Sequence, residues 1–561
     1  MFAILSRTLP LAALVVLVLA ACGGAAAPTA TPSQAPAAAP TATRAAPAPA
    51  APTPTPAAAA PAATAVPAVA KPSGKVTIVV SDAGAEPLDP HKLVGGSEAV
   101  VTNPNFESML GYGLDGSLVG QLALSWRASE NATVWEYKLR PGVKYHNGLT
   151  LTAEDVKFSY EKASKNPSAT ELRLRLDTIE VIDPLTVRFR LKMPFAIWDT
   201  AGSGTKIEPK AYVEQIGETE FGKAPVGTGP FKFVDRRLNE FATYEAFEGY
   251  WQRPPFVKQL TLRFAAESSV RTAMLKTGEA DVMGGVTPSM AQEVSSTPGL
   301  RIISAKGTSM MWMWPFGASK RVGEMNVPNP DSPWSNKLVR QALNYAVDRD
   351  AIIKGLFRGD AEPMITPIMP GAFGFNPNLK PYPYDPKKAR ELLAQAGYPN
   401  GFSTDLYSTP HAAIAFTEDT TVAVSKMWAD VGVKANIKKM DYGTYLVQVR
   451  ERKIDGVGVI ATVFQPNGWT TLNSYASARN WPSMMFDQSI DADLDKASAE
   501  SDPEKRQRLV QDLIARDYDN GGNVYLVYGN TSYGVNARVL EWPQRRGYGY
   551  VDRVDLLQLV K

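Results

Sequence analysis

The sequence predicts an α/β protein built from more than one lobe, and three observations carry that expectation. The chain has 561 residues, far more than one ordinary domain needs, so two or three domains are expected if most of it folds. Hydrophobic residues make up 44% and charged residues 20%, a balance that allows sizeable buried cores. Through the second half, helix-period and strand-period segments alternate, which is the pattern of α/β lobes. The formal net charge is +3 with acids and bases interspersed. No lysine- or arginine-rich block points to nucleic acid.

The first element is a leader. Arg7 supplies its positive end, and Leu9 to Leu19 form an apolar run shorter than the ~20 residues of a membrane span. The run ends in Leu19-Ala20-Ala21-Cys22 followed by Gly23-Gly24, which resembles a bacterial lipobox. Small residues suit the peptidase there, and the thiol receives the diacylglycerol. Residues 1–22 are therefore read as a lipoprotein signal peptide, with Cys22 as the lipidation site that anchors an extracytoplasmic protein to the cell membrane. Cys22 is also the only cysteine. An intrachain disulfide, a thiolate metal site and a thiol nucleophile in the folded part are thereby excluded.

Residues 23–74 are dominated by Ala, Pro and Thr. Repeated proline blocks helix and sheet, and so few large apolar groups cannot offset the ordering entropy. A disordered linker with polyproline-like stiffness is expected, serving as a tether.

The folded part begins at Lys75. Val76 to Val80 is a β-branched apolar run suited to a buried strand. Trp135, Tyr137 and Leu139 alternate with charged residues up to Pro141-Gly142, giving a half-buried strand and its stop. His146-Asn147-Gly148 reads as a turn. Thr152 with Asp155 reads as a helix start, and Leu151 and Val156 are placed as a hydrophobic staple. Leu185, Val187, Phe189 and Leu191 mark another strand. Later, Asn336 to Val347 has a helical apolar face, and Asp385-Pro386 opens a helix that Gly397 follows. Val433, Ala435 and Ile437 alternate as a strand, Asp502-Pro503 starts a helix, and Val524 to Tyr528 is a late apolar strand.

Several segments taken together carry a resemblance. They are LDPHK (Leu88 to Lys92), ESMLGYGLDGSLVGQLALSW (Glu107 to Trp126), VWEYKLRPGVKYHNGLTLTAEDVKFSYE (Val134 to Glu161), VGTGPFKF (Val226 to Phe233) and TGEADV (Thr277 to Val282). VRQALNYAVDRDAI (Val339 to Ile352) and ARELLAQAGYPNGF (Ala389 to Phe402) follow in the second half. From about Lys75 to the C-terminus, the chain resembles the bacterial extracellular solute-binding proteins of the peptide class, the dipeptide- and oligopeptide-binding components of ABC importers.

The resemblance implies a two-lobed clam closing on a ligand. Its expected limits are lobe one at 75–310 with an inserted subdomain at about 108–200, lobe two at 311–515, and a return to lobe one at 516–561, with the chain crossing between lobes near 308–336 and 515–523. It implies a peptide or peptide-like ligand delivered to ABC permease subunits, and a monomer that is not an enzyme. Alternatives of the same fold bind oligosaccharide, a nickel chelate or haem, or serve as a surface sensor. The residues themselves agree on chemistry. No Gly-x-Ser-x-Gly elbow or metal-ligand spacing occurs, and His91, His146 and His411 stand far apart. No catalytic residue, metal or cofactor is expected.

One departure from the family pattern bears on the ligand. Relatives that bind a free amino group carry a Gly-Trp-x-x-Asp-Tyr-type segment whose aspartate meets the ammonium, because a buried cation needs a counter-charge. Here the expected aspartate falls at about Phe464 and the tryptophan at about Ala461. Neutral or backbone-held ligands are therefore favoured over simple dipeptides unless another acid, such as Asp441 or Asp487, substitutes. The candidate ligand-binding residues are Gly96 on the first lobe, Trp312 and Trp314 on one side of a strand, Phe464, Gln465, Asn467 and Trp469, and Trp481. Trp312 and Trp314 could equally pack the hinge region. His91 is expected to order its loop, and Glu279 and Asp281 to be surface or capping groups.

Overall fold

The computed structural model describes residues 71–560 apart from 82–87, 93–98, 167–168, 202–203, 323–324, 410–415, 441, 452, 464–466, 480–488 and 550. The leader, Cys22 and nearly all of the linker lie outside the described residues, and the chain from Pro67 onward forms one compact unit.

The apolar run at the start of the folded part becomes β1 (Ser73–Val80), exposed over its first three residues and mostly buried from Val76 onward. The chain then builds a small four-stranded antiparallel sheet. Its strands are β2 (Ala123–Ser129), β3 (Val134–Leu139), β4 (Leu176–Asp183) and β5 (Thr186–Leu191), in the order β2-β3-β5-β4. Two helices, α1 (Ala153–Ala163) and α2 (Thr170–Arg175), lie between β3 and β4. The α1 start is built as expected. The Asp155 carboxylate accepts from the Thr152 N–H at 2.8 Å, and Leu151 and Val156 are both buried.

Strands β6 (Phe231–Arg237), β7 (Phe241–Ala246) and β8 (Val257–Phe264) return the chain beside β1, and β9 (Val282–Met283) flanks β1 on its other side. Next comes β10 (Leu300–Trp314), fifteen residues long. Helices α3 (Lys337–Tyr345) and α4 (Pro386–Gln395) precede β11 (Ser403–Ser408), β12 (Lys434–Lys439) and β13 (Gly456–Val463). The chain continues through α5 (Gly468–Ala476), α6 (Ile490–Ala499) and α7 (Pro503–Asp519) into β14 (Val524–Asn536).

One eleven-stranded sheet joins these parts in the order β12-β11-β13-β10-β14-β9-β1-β8-β7-β6, with Ala361–Pro363 added beside β14. Two sheet flanks, one around β1 and one around β11, meet through the antiparallel pair β10 and β14. Residues 300–305 of β10 pair with 531–536 of β14 on the β1 side. Residues 309–313 pair with 524–529 on the β11 side, and the register slips between Ala305 and Ser309. At that slip Gly307 adopts φ +58°, and its N–H donates to Asn530 Oδ1 at 2.9 Å.

Side-chain alternation along β10 divides two cores. Met310, Trp312 and Trp314 face a core shared with the small antiparallel sheet, whereas Met311 and Met313 pack under α3 and α4. No helix among the described residues is long and apolar enough to cross a membrane.

Two charged clusters fasten the first lobe. Lys162 of α1 donates to Asp89 Oδ2 at 2.7 Å and to Glu208 Oε2 at 2.8 Å, all three side chains being buried. Asp89 also accepts from the His91 N–H at 3.0 Å, so LDPHK is a loop held by buried charge. The Asp281 carboxylate accepts from Thr77 N, Asn536 Nδ2 and Arg538 Nη1 at 2.9, 3.1 and 2.8 Å. Asp281 is 2% exposed. This corrects the surface reading of Asp281, which is a buried tie between β1 and the end of β14. Glu279 stays exposed, 3.7 Å from Arg263.

Candidate functional site

The sheet brings Trp312 and Trp314 to the same face of β10. Their ring centroids lie 6.1 Å apart, and the series continues from Trp314 to Phe316 and from Phe316 to Tyr445, each step 5.8 Å. Both tryptophans are buried, and among the described residues neither indole N–H has a hydrogen-bond partner. A buried N–H without an acceptor costs free energy, so this wall carries two donors that an incoming acceptor would satisfy.

Asn467 and Trp469 have partners of their own. The Asn467 Oδ1 caps α5 by accepting from Trp469 N at 2.9 Å, while its Nδ2 donates to Thr200 Oγ1 at 3.0 Å. The Trp469 indole donates to Leu494 O at 2.7 Å and has no exposed surface. Its ring meets Phe195 edge-on at 5.2 Å, and the Arg175 guanidinium lies 4.0 Å above Phe195 and 5.5 Å above Trp469. Arg175 bonds Glu171 at 2.6 Å and Asp495 of α6 at 3.0 Å, while Asn473 of α5 donates to Glu171 at 2.8 Å. The start of α5 therefore packs against Phe195, Arg175 and Thr200, which flank the small sheet. Gly96, Phe464, Gln465, Trp481, Asp441, Asp487 and His411 lie outside the described residues.

A cavity of about 740 Å³ opens beside this contact. It is lined by the hairpin formed by residues 110–112 and 118–120, by Thr200 and Lys206, by Tyr250 and Trp251, and by the C-terminal stretch from Arg545 to Asp555. The Thr200 that accepts from Asn467 belongs to its wall, so the cavity reaches the contact at the start of α5. On another side, the Arg546 guanidinium comes within 3.2 Å of where a Cβ on Gly371 would stand, and Gly371 has φ +88°.

Five basic side chains line this cavity, Arg140, Lys206, Arg545, Arg546 and Arg553, against three acidic ones, Glu107, Asp552 and Asp555. Asp552 meets Arg545 at 2.8 Å, and Asp555 meets Arg553 at 2.9 Å. Glu107 accepts from Tyr250 Oη and Trp251 Nε1, both at 2.8 Å, and burial pushes its carboxyl up to about 7. Arg140 donates to the carbonyls of Gln121 and Gly120 and lies over the Trp251 ring. Among the described residues, neither the Lys206 ammonium nor the Arg546 guanidinium has an ion pair or hydrogen bond, and burial, with Arg545 adding to it, pulls Lys206 down to about 8. Sequence reasoning missed both. Isolated basic residues carry no periodicity, although the charged and aromatic stretch RRGYGYVDRVD at 545–555 was a signal to follow.

Comparison with known proteins agrees with this architecture. A family described as bacterial extracellular solute-binding proteins, family 5 Middle, matches residues 117–483. A glutathione-binding protein GsiB from Pectobacterium atrosepticum is 32% identical over 446 residues, covering 76% of this chain and 83% of that protein. Its Escherichia coli K12 counterpart is 30% identical over 476 residues, covering 80% and 89%. Among solved structures, the ABC transporter-associated periplasmic binding protein DppA from Helicobacter pylori in complex with peptide STSA superposes with a TM-score of 0.75. It is 25% identical, with 87% of this chain and 98% of that chain covered. The binding protein AgaA from A. tumefaciens R10, in complex with agropinic acid, gives 0.72 at 26% identity, with 85% and 96% covered.

Proposed function

Because the chain belongs to the bacterial extracellular solute-binding proteins of family 5, we propose that it captures a short peptide or peptide-like solute between its lobes and delivers it to the permease of an ABC importer. The observation that carries the ligand reading is the cavity in the first lobe, whose wall residue Thr200 accepts from Asn467. Its volume of about 740 Å³ is within the ~300–1,000 Å³ usual for small-molecule sites. Its walls combine Trp251, Tyr112 and Tyr250 with a surplus of cations. Relatives named for glutathione and a neighbour bound to a tetrapeptide support the same class. Trp312 and Trp314 are not among the residues that line this cavity; together with Gly96, Phe464, Gln465 and Trp481 they are proposed as further ligand contacts. The proposed crossings near 308–336 and 515–523 lie next to the register slip at residues 305–309 of β10 and the facing 529–531 of β14.

The test is mass spectrometry of solute released by denaturing the purified protein, followed by titration calorimetry with glutathione, free and N-acetylated tetrapeptides and a few oligosaccharides. With Phe464 where relatives hold the ammonium, acetylating a peptide's amino group should change its Kd less than about threefold. Tight binding of an oligosaccharide and none of any peptide would replace this reading. Anchoring is proposed at Cys22. The wild type should partition into detergent and Cys22→Ser should not, and equal partitioning of the two would reject lipidation.

A further inference from the structure

We propose that the contact between the segments flanking the small sheet and helices α5 and α6 is a reversible latch, held by Arg175 and Asp495, that parts without stranding a charge. The inference rests on the small sheet and these helices belonging to opposite lobes of the two-lobed fold. Hydrogen bonds cross the contact along its length. Arg175 Nη2 donates to Asp495 Oδ1 at 3.0 Å, and Asn473 Nδ2 donates to Glu171 Oε1 at 2.8 Å. Asn467 Nδ2 donates to Thr200 Oγ1 at 3.0 Å, and Ala196 N donates to Ser498 O at 2.6 Å.

The charged and capping groups in these links each hold a second partner on their own side. Arg175 keeps Glu171 Oε2 at 2.6 Å, one helical turn away. Asp495 keeps Arg479, whose Nη1 and Nη2 reach its two oxygens at 3.1 and 3.2 Å. Asn467 keeps its cap of α5, and Thr200 keeps Ile197 O at 3.0 Å. The buried tie at Asp281 is built otherwise. Its partners Thr77, Asn536 and Arg538 all come from distant segments, so separating them would leave a bare carboxylate. An uncompensated buried charge locks a contact, whereas a charge with a partner on its own side can exchange the other for water. Apolar burial closes the latch. Phe195 and Trp469 are fully buried, meet edge-on at 5.2 Å and lie beneath the Arg175 guanidinium. Parting wets both rings, which favours the docked form. It also gives water to Arg175 Nη1, which has no partner among the described residues when docked. These opposed contributions bring the docked and parted forms close in free energy.

The experiment uses the full chain with Cys22→Ser, because that cysteine is the only one. Spin labels on Ile182→Cys of β4 and Glu504→Cys of α7, both exposed, report the separation across the latch by pulsed EPR. A second pair, Val234→Cys of β6 and Val422→Cys of the helix Thr417–Ala429, reports the lobes away from it. Thermal melts establish that each variant is folded. In the ligand-free chain, Asp495→Asn should raise the fraction at the longer 182–504 separation at least about threefold, while Asp491→Asn, which pairs with Arg479 on the same side, should leave it within about 1.5-fold. An unchanged 182–504 distribution in Asp495→Asn overturns the latch, and so does equal lengthening in both variants, which would mean general loosening of α6. Two separations for the 234–422 pair alone would overturn the latch and leave the two lobes standing. A single separation for both pairs in every variant would overturn the latch together with the lobe limits.

Discussion

His146 shows how a single ring can be held in one protonation state by geometry. Its Nε2 donates to Gly229 O at 2.9 Å, and its Nδ1 accepts from Gly227 N at 3.3 Å. Protonating Nδ1 would set one N–H against another, and burial lowers the ring to about 4 from 6.5. Between those values the unfolded chain holds more protons than the folded one, so stability is present above pH 6.5 and is lost as pH falls towards 4. His146→Gln should flatten that dependence by about 2 kcal/mol between pH 7 and 4, read from urea denaturation at each pH. An unchanged slope would mean the ring stays solvated. The sequence showed a turn at His146-Asn147-Gly148 but nothing of this contact, because the partner loop lies 81 residues away. That loop explains its own glycines, since a Cβ on Gly227 would sit 2.1 Å from Asn105 O. Asp281 was misread for the same reason. Its partners, Thr77, Asn536 and Arg538, lie more than 200 residues away in sequence. Asp281→Ala should cost about 3 kcal/mol, and a loss below 1 kcal/mol in denaturant melts would show the tie to be idle.

Elements with local signals were legible, and those held by distant contacts were not. Asp385 accepts from Lys388 N at 2.8 Å at the start of α4, and Asn336 caps α3, as cap chemistry predicts. The late strand was expected over Val524 to Tyr528, yet β14 runs on to Asn536. Its continuation, GNTSYGVN, has weak strand propensity, but β10 and β9 bond it from both sides. In α2, Arg175 carried no signal at all, being one of two arginines in the repeating LRLRL at 172–176. Only the fold buries it between Phe195 and the α5–α6 pair. Arg175→Met keeps the bulk and removes the charge. It should destabilise the protein by about 2–3 kcal/mol, less than a fully buried pair because Asp495 is half-exposed and retains Arg479. Trp469 emission should shift to the red as water reaches its ring, and emission identical to wild type would separate Arg175 from the contact.

At the scale of the molecule, the alternation of helices and strands foretold α/β lobes, and the resemblance to the peptide class supplied their pairing as a clam. Composition could not show that a single sheet runs through both lobes, because strand order depends on crossovers rather than on any one segment. The candidate site was legible only in the shared face of two tryptophans. The aromatic face of Trp312 and Trp314 followed from strand periodicity, whereas the cavity cations come from chain regions more than 300 residues apart. The sheet narrows to two strands at the register slip, where Gly307 takes a left-handed conformation with Met369 Cε 3.4 Å from an added Cβ. Gly307→Ala should cost about 1 kcal/mol and Gly307→Asn less, since asparagine tolerates φ > 0 better. Denaturation that ranks the two the other way would refute this backbone geometry.

The paired strands also set how the molecule transmits force. Gly74 at the start of β1 and Leu559 near the C-terminus almost touch, a Cβ on Gly74 falling 3.2 Å from Leu559 Cδ1. Both ends of the folded chain are thus rooted in the first lobe, and the second hangs from it as a loop entered by β10 and left by β14. Tension applied through the residues before Ser73 enters β1, whose neighbours β8 and β9 would have to shear before β10 and β14 felt any pull. A hold on either terminus therefore loads the side of the sheet built around β1 and leaves the side around β11 outside the path of force.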